Sequence, residues 1–337
     1  MAHWKRVALS VAALLVLLFA GAVQAVVGWR ALLFGPSTRA LSAVVFERTP
    51  ARLERGRYLA EARHACLGWH SERDWTAPGA PVVAGRAGAG VVWTSEGMPW
   101  LTAPNLTPDP ETGLGRASDD AVARAIREGI GSDGRALFPL MPYGEYRRLP
   151  DEDVAAIVVY LRSLPPVRHA LPRSALPFPL SLIVRGIPRP LTGPVPAPDL
   201  STPEKRGEFL LRTAACHHCH TPMKRGGFVA ALDMAGGSRF TTAGGAASAT
   251  NLTPDDTGVA HYDAATFVQV MRTGKLGTLS PVMPWVFFGR MNDEDLAAMH
   301  AYLRTLKPVK HVVANGPPET PCPVCGREHG GGDRNGG

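Results

Sequence analysis

Charged residues make up only 19% of this 337-residue chain. No run of Lys and Arg interleaved with aromatics occurs in it, which excludes the basic groove of a nucleic-acid-binding protein. The formal net charge of +7 then amounts to a mild preference for acidic partners or anionic headgroups. Past residue 30 there is no second apolar run long enough to cross a bilayer, so at most one span is expected. Long regular elements are also lacking: 36 Gly and 31 Pro imply many turns and short segments, against a TIM barrel or an extended coiled coil. At 45% hydrophobic the chain is too apolar for a disordered protein, and its length suits two ordinary domains. Cysteine is scarce and odd in number. The five, Cys66, Cys216, Cys219, Cys322 and Cys325, cannot all pair within one chain.

What is present begins with a basic start (His3, Lys5, Arg6) and an apolar run over 7–28 broken only by Ser10 and Gln24. The run is about as long as a bilayer-spanning helix, roughly 20 residues. Residues 1–30 therefore read as an export element. The length fits an uncleaved anchor, and cleavage after Ala25, where Val23-Gln24-Ala25 offers a small-residue site, is the alternative. Either way Lys5 and Arg6 hold the start inside, and the remainder faces the periplasmic side.

An internal repeat organises the rest. PNLTPDPETG at 104–113 returns as TNLTPDDTG at 250–258, and the stretch from Phe138 to His169 returns, with a shared MP and DED, from Ser280 to His311. A period above 100 residues is a domain duplication, since each unit can hold its own core. This predicts domains at 45–169 and 204–312 and a tail at 313–337. Between the domains, 164–203 carries eleven prolines, which predicts an extended, semi-rigid connector at 170–203 without regular helix. Its segment 178–184 is apolar enough to pack on something.

Each repeat reads as three helices: 52–65, 119–128 and 151–164, matched by 204–215, 264–272 and 293–306. Ser118 and Asp263 are N-cap candidates, and the last helix of each copy opens with three acids, suited to a helix N-terminus. Long Gly- and Pro-rich loops fill the remainder, so a cofactor rather than a large apolar core is expected to hold each unit together.

Cys216-His217-His218-Cys219-His220 is C-x-x-C-H, in which two thiols form thioethers to a haem and the His supplies an axial nitrogen. It closes a predicted helix in an exported chain; the competing reading is a C-x-x-C disulfide beside an incidental His. Met283, in Pro-Val-Met-Pro, lies on a loop before the last helix and suits a distal thioether ligand, which raises the reduction potential. Met141, also followed by Pro, holds the same place in the first copy. There the attachment sequence reads Cys66-Leu67-Gly68-Trp69-His70, with Trp69 in place of the second thiol. Either one thioether at Cys66 holds a haem between His70 and Met141, or this copy holds none or holds one loosely.

These residues resemble two tandem class I cytochrome c domains after an N-terminal membrane helix, an all-α fold. They are most similar to the membrane-associated multihaem cytochrome c subunit of bacterial alcohol and gluconate dehydrogenases and its dihaem relatives. The likeness covers nearly all of 45–312 and is carried by the helix leading into Cys66, the NLTP segments at Asn105 and Asn251, the Met-Pro loops and the DED-led helices. It implies haem c, with His70 and His220 proximal ligands and Met141 and Met283 distal ones. It also implies crossing first and last helices, with Gly56, Tyr58 and Tyr160, and Gly207, Phe209 and Tyr302, at the contacts. The NLTP segments would line the haem edge. Trp69 departs from the pattern, and the third haem domain of those subunits has no counterpart here: Cys322-Pro323-Val324-Cys325 is followed by Gly326 rather than His. That pair reads as a disulfide, free thiols or, with His329, part of a metal site.

The expectation is an electron carrier, not an enzyme, between a periplasmic or membrane dehydrogenase or quinol-linked donor and an oxidase or small cytochrome, with no nucleic acid involved. The rivals are a dihaem peroxidase, which needs a displaceable distal ligand, and a docking subunit with one functional haem. His64, His217, His218 and His261 read as surface or loop residues, and His169 and His311 as partners of the terminal helices' last carbonyls.

Overall fold

Capping decides where the helices start. In a computed structural model, which describes residues 2–94, 97–242, 245–274, 282–313, 315, 319–321 and 328–330, Ser118 Oγ accepts from Ala121 N–H at the head of Asp119–Glu128. Asp263 accepts from Thr266 N–H at the head of Ala264–Thr273. Each side chain satisfies an amide the helix leaves open, a contribution of about 1 kcal/mol. Gly129 and Gly274 end the two helices in the left-handed region, where glycine carries no Cβ penalty. The acid-led helices run Asp151–Ser163 and Asp293–Leu303.

Backbone contacts group the chain into two units. The first comprises Met1–Arg57, Ala89–Val92 and Trp100–Ala197; the second comprises Tyr58–Gly88, Trp93–Pro99 and Pro198–Gly337. The segment with Cys66 and His70, which the repeat assigns to the first copy, thus lies in the second unit.

In the first unit, Pro50–Tyr58 crosses Asp151–Ser163 at Gly56, where a Cβ would stand 1.9 Å from the Ala156 carbonyl oxygen and 2.7 Å from Tyr160 Cβ. Only glycine permits that approach. Val154, Ile157 and Val158 of Asp151–Ser163 are buried, and Arg55 donates to both oxygens of Asp153 at 2.9 and 3.0 Å. Arg39 binds Asp120 and Glu128, so the chain after the N-terminal helix is tied to Asp119–Glu128. That N-terminal helix, Ala2–Val26, contains the span Trp4–Ala25, long and apolar enough to cross a membrane.

The connector belongs to this unit as far as Ala197. It is extended for most of its length and tied down by Ala175 N–H to the Trp100 carbonyl, Leu191 N–H to Glu128 and Val195 N–H to Asp151. Against expectation it contains helix, Leu180–Ile183 followed by a 3-10 turn at Val184–Gly186. Residues 180–187 are free of proline, so backbone N–H donors are available for one turn there.

In the second unit, Pro203–Thr213 crosses Asp293–Leu303 at Gly207 in the same way: a Cβ would stand 1.9 Å from the Ala298 carbonyl oxygen and 2.8 Å from Tyr302 Cβ. Arg206 pairs with Asp295, the counterpart of Asp153, through one carboxylate oxygen. Tyr58 Oη donates to the second Asp295 oxygen at 2.5 Å. The continuation of the first helix, Leu59–Arg63, is π-helical, so the regular helix expected over 52–65 changes type at Tyr58.

The described residues are not purely helical. Four two-stranded antiparallel ladders occur among them, pairing Val91–Val92 with Thr102–Ala103, Met223–Lys224 with Gly227–Phe228, Arg239–Thr242 with Gly245–Ser248, and Glu319–Pro321 with Glu328–Gly330. The second is closed by a two-residue turn at Arg225 and Gly226, both at positive φ, the geometry that matches strand twist. The all-α expectation overlooked that loops this rich in glycine close on themselves.

Candidate functional site

The site in the second unit is built from a reversal of the chain. Helix Pro203–Thr213 ends, Ala215 takes a left-handed φ of 57°, and the short helix Cys216–His220 starts from it. Cys216 and Cys219, one turn apart on that helix, are half-buried and free. Burial pushes the Cys216 thiol up to about 12 and the Cys219 thiol up to about 11, so both carry their protons at neutral pH.

His220 is buried and its Nδ1 lies 2.7 Å from the Thr250 carbonyl oxygen. A carbonyl only accepts, so Nδ1 carries the proton and Nε2 keeps its lone pair. Burial lowers the proton affinity of the ring, opposed by the Thr250 bond, and holds it neutral. That is the state in which imidazole is a metal ligand, and a carbonyl on the far nitrogen is the usual way such a ring is oriented. The His220 carbonyl in turn accepts from Gly236 N–H at 2.7 Å. Gly236 sits at φ 77°, where a Cβ would meet the Ala249 carbonyl oxygen at 2.5 Å. His217 and His218 pack against Phe228, with ring centroids 5.1 and 5.4 Å away.

Thr250 is held by its neighbour. Asn251 is buried; its Nδ2 donates to the Val309 carbonyl at 2.8 Å and Thr257 Oγ1 at 3.1 Å, and its Oδ1 accepts from Thr253 N–H and Oγ1–H at 2.9 and 2.8 Å. The first unit repeats this clamp: Asn105 donates to Val167 and Thr112 and accepts twice from Thr107. Both donors and the oxygen of each amide are spent inside the protein, so these residues fix their loops.

Met283 is half-buried on the turn before Trp285–Phe288, where Trp285 N–H donates to its carbonyl at 2.8 Å. The Trp285 ring lies over Gly274, whose Cβ would be 2.5 Å from it. In the first unit Met141 holds the matching position: Tyr143 N–H donates to its carbonyl at 2.8 Å, and the Tyr143 ring covers Gly129.

Cys66 and His70 stand in the second unit, on and just after Cys66–Trp69, again behind a left-handed alanine, Ala65 at φ 48°. Burial pushes the Cys66 thiol up to about 12. Trp69 stacks on Trp93, centroids 5.8 Å apart and planes within 11°. Thus Cys216, Cys219 and His220 share one short helix, while Cys66 with His70 and Met141 fall in different units. Cys322 and Cys325 lie outside the described residues.

Several histidines differ from expectation. His64 is 2% exposed rather than on the surface, with Nδ1 3.0 Å from the Thr213 carbonyl oxygen; beside it Arg63 donates to Thr213 Oγ1 and lies over Phe209. His169 and His311 bond the Ala89 and Ala235 carbonyls, not the ends of their own helices. Thr250 was missed because a backbone acceptor leaves no side-chain signature; its place just before a repeated NLTP was the available signal.

No family model matches the chain. It is 28% identical over 306 residues to the cytochrome c subunit of alcohol dehydrogenase (quinone) from Gluconobacter oxydans, covering 85% of this chain and 60% of that one. It is 30% identical over 275 residues to the gluconate 2-dehydrogenase cytochrome c subunit of Pantoea cypripedii, covering 76% and 60%. To a dihaem c-type cytochrome of Cereibacter sphaeroides it is 28% identical over 218 residues, covering 61% and 72%. Its homologues are therefore cytochrome c subunits of dehydrogenases and a dihaem cytochrome c. The chain spans 60% of the length of those two dehydrogenase subunits.

Proposed function

We propose that this chain is an electron-transfer c-type cytochrome, anchored at the periplasmic face of a bacterial inner membrane, which takes electrons from a dehydrogenase and passes them to an oxidase or small cytochrome. The observation that carries the reading is His220: a buried, neutral imidazole whose Nδ1–H is committed to Thr250, beside two unpaired thiols one turn apart. That donor set fits haem c. Cys216 and Cys219 would hold the vinyl carbons as thioethers, His220 would offer Nε2, and Met283 would offer its thioether from the other side. Haem supplies one-electron iron chemistry when bound. Thr250 fixes the ring plane of His220, and Asn251 holds Thr250 in place through its own four bonds. Asn105 serves its own loop in the same role.

For the other attachment sequence we propose a second haem joined through Cys66 alone, with His70 as proximal ligand and Met141, the repeat counterpart of Met283, as the distal one. The domain organisation that goes with this is two cytochrome c copies, 45–169 and 204–312. A dehydrogenase partner rests on the relatives being cytochrome c subunits of alcohol and gluconate dehydrogenases. Retention of 1–30 as an anchor rests on a span of 22 residues, Trp4–Ala25.

Spectroelectrochemistry of the haem-loaded full chain tests the function. Reversible one-electron waves from six-coordinate, low-spin iron are expected. A five-coordinate component with turnover of hydrogen peroxide would replace the carrier reading with the peroxidase one.

A further inference from the structure

The first unit exposes an apolar ledge just after the N-terminal span. Phe178 is 81% exposed, Phe34 79% and Leu33 68%, and Trp29 and Ile187 are exposed as well. Trp29–Phe34 packs on the connector's turn Val184–Gly186, and Phe178 lies just before the helix that leads into this turn. The two segments are closely joined: a Cβ on Gly186 would stand 2.5 Å from the Val27 carbonyl oxygen. The ledge therefore begins at Trp29, three positions after Ala2–Val26 ends.

Its charge has one sign. Residues 1–46 and 154–198 contain no Asp or Glu, while Arg30, Arg185 and Arg189 flank the apolar side chains. Exposed aromatics among arginines, on segments that themselves carry no acid, are the composition of the bilayer interface, where rings sit at headgroup depth and basic groups meet anionic lipid. Exposed apolar side chains gathered on a soluble face mark an interaction site, and here Trp29–Phe34 follows in the chain on a segment that is itself apolar and exposed.

We propose that this ledge is a second membrane element: the proline-rich connector, through Phe178, docks with Trp29–Phe34 into the headgroup layer of anionic lipid, so that the first unit is held against the bilayer by two attachments rather than one flexible tether. This rests on the anchor half of the reading above and not on the haem sites.

The test uses the full chain with the photoreactive residue p-benzoylphenylalanine at position 178, and separately at position 14 within the span. Each is reconstituted into vesicles of phosphatidylethanolamine and phosphatidylglycerol and irradiated. Mass spectrometry should find lipid adducts at 178, falling at least threefold when phosphatidylglycerol is replaced by phosphatidylcholine. No lipid adduct at 178, or a protein adduct there in native membranes, overturns the proposal. An equal yield in both vesicles overturns the anionic preference. The result at 14 reports on the anchor separately: an adduct at 14 without one at 178 removes the ledge and leaves the span. Loss of residues 1–25 from the intact mass removes the anchor, and the result at 178 still decides the ledge.

Discussion

The α-carbon of Gly207 faces the carbonyl of Ala298 so closely that a Cβ would stand 1.9 Å from its oxygen. That opponent is backbone, so no rotamer change relieves it. Gly207→Ala must push the first and last helices of the second unit apart, at a cost of about 1–3 kcal/mol typical of overpacking. A urea titration should show the midpoint falling with little change in slope. An unchanged midpoint would mean the crossing is looser than described.

Asn251 makes four bonds with one buried side chain, to Val309, Thr257 and twice to Thr253. Asn251→Ala strands those partners, and each buried group left unsatisfied costs about 1–3 kcal/mol. Water can enter to satisfy some of them, so a net loss of about 2–3 kcal/mol is expected, read as a lower Tm. Because Thr250 then loses its support, His220 should also become less ordered, visible as broadened haem resonances in NMR.

The proposed haem site of the second unit takes Met283 as its thioether donor. Met283→His replaces it with a stronger base for the oxidised iron, and the reduction potential should fall, within the roughly 0.8 V over which axial ligands set haem potentials. Spectroelectrochemistry reads this directly, and a potential that does not move would show that Met283 is not the ligand.

Acid should loosen the first unit in a defined window. Arg39 donates to both oxygens of Asp120, and this hydrogen bonding, assisted by Ser42, holds the carboxyl down to about 2. A carboxylate whose folded pKa lies below its unfolded value contributes stability that is fully present above about pH 4. It is lost as pH falls toward 2. Asp120→Asn should flatten that part of the stability profile and lower stability at pH 7. If the variant and the parent lose stability in parallel below pH 4, the pair is not responsible.

The helices were legible because their signals are local. Ser118, Asp263 and the acid-led starts at Asp151 and Asp293 each announce a helix within a few residues, and those elements lie where expected to within three residues. Gly56 and Gly207 were legible through the family resemblance. Features that depend on distant backbone were not: the Thr250 carbonyl under His220, the Thr213 carbonyl beside His64 and the Trp69–Trp93 stack join segments separated by 24 to 149 residues. Any residue supplies a carbonyl, so composition carries no trace of such bonds. The connector's helical turn leaves no mark on the proline density of its 40 residues as a whole, because the turn needs only the proline-free stretch 180–187.

The most direct measurement is a pyridine haemochrome spectrum with intact mass on the full chain matured by a c-type assembly system. The account predicts two covalently held haems per chain, one with the ordinary two-thioether band and one red-shifted by the vinyl left unreduced opposite Cys66. A single ordinary haem would reduce Cys66, His70 and Met141 to a docking copy. No covalent haem at Cys216 and Cys219 would contradict the account outright.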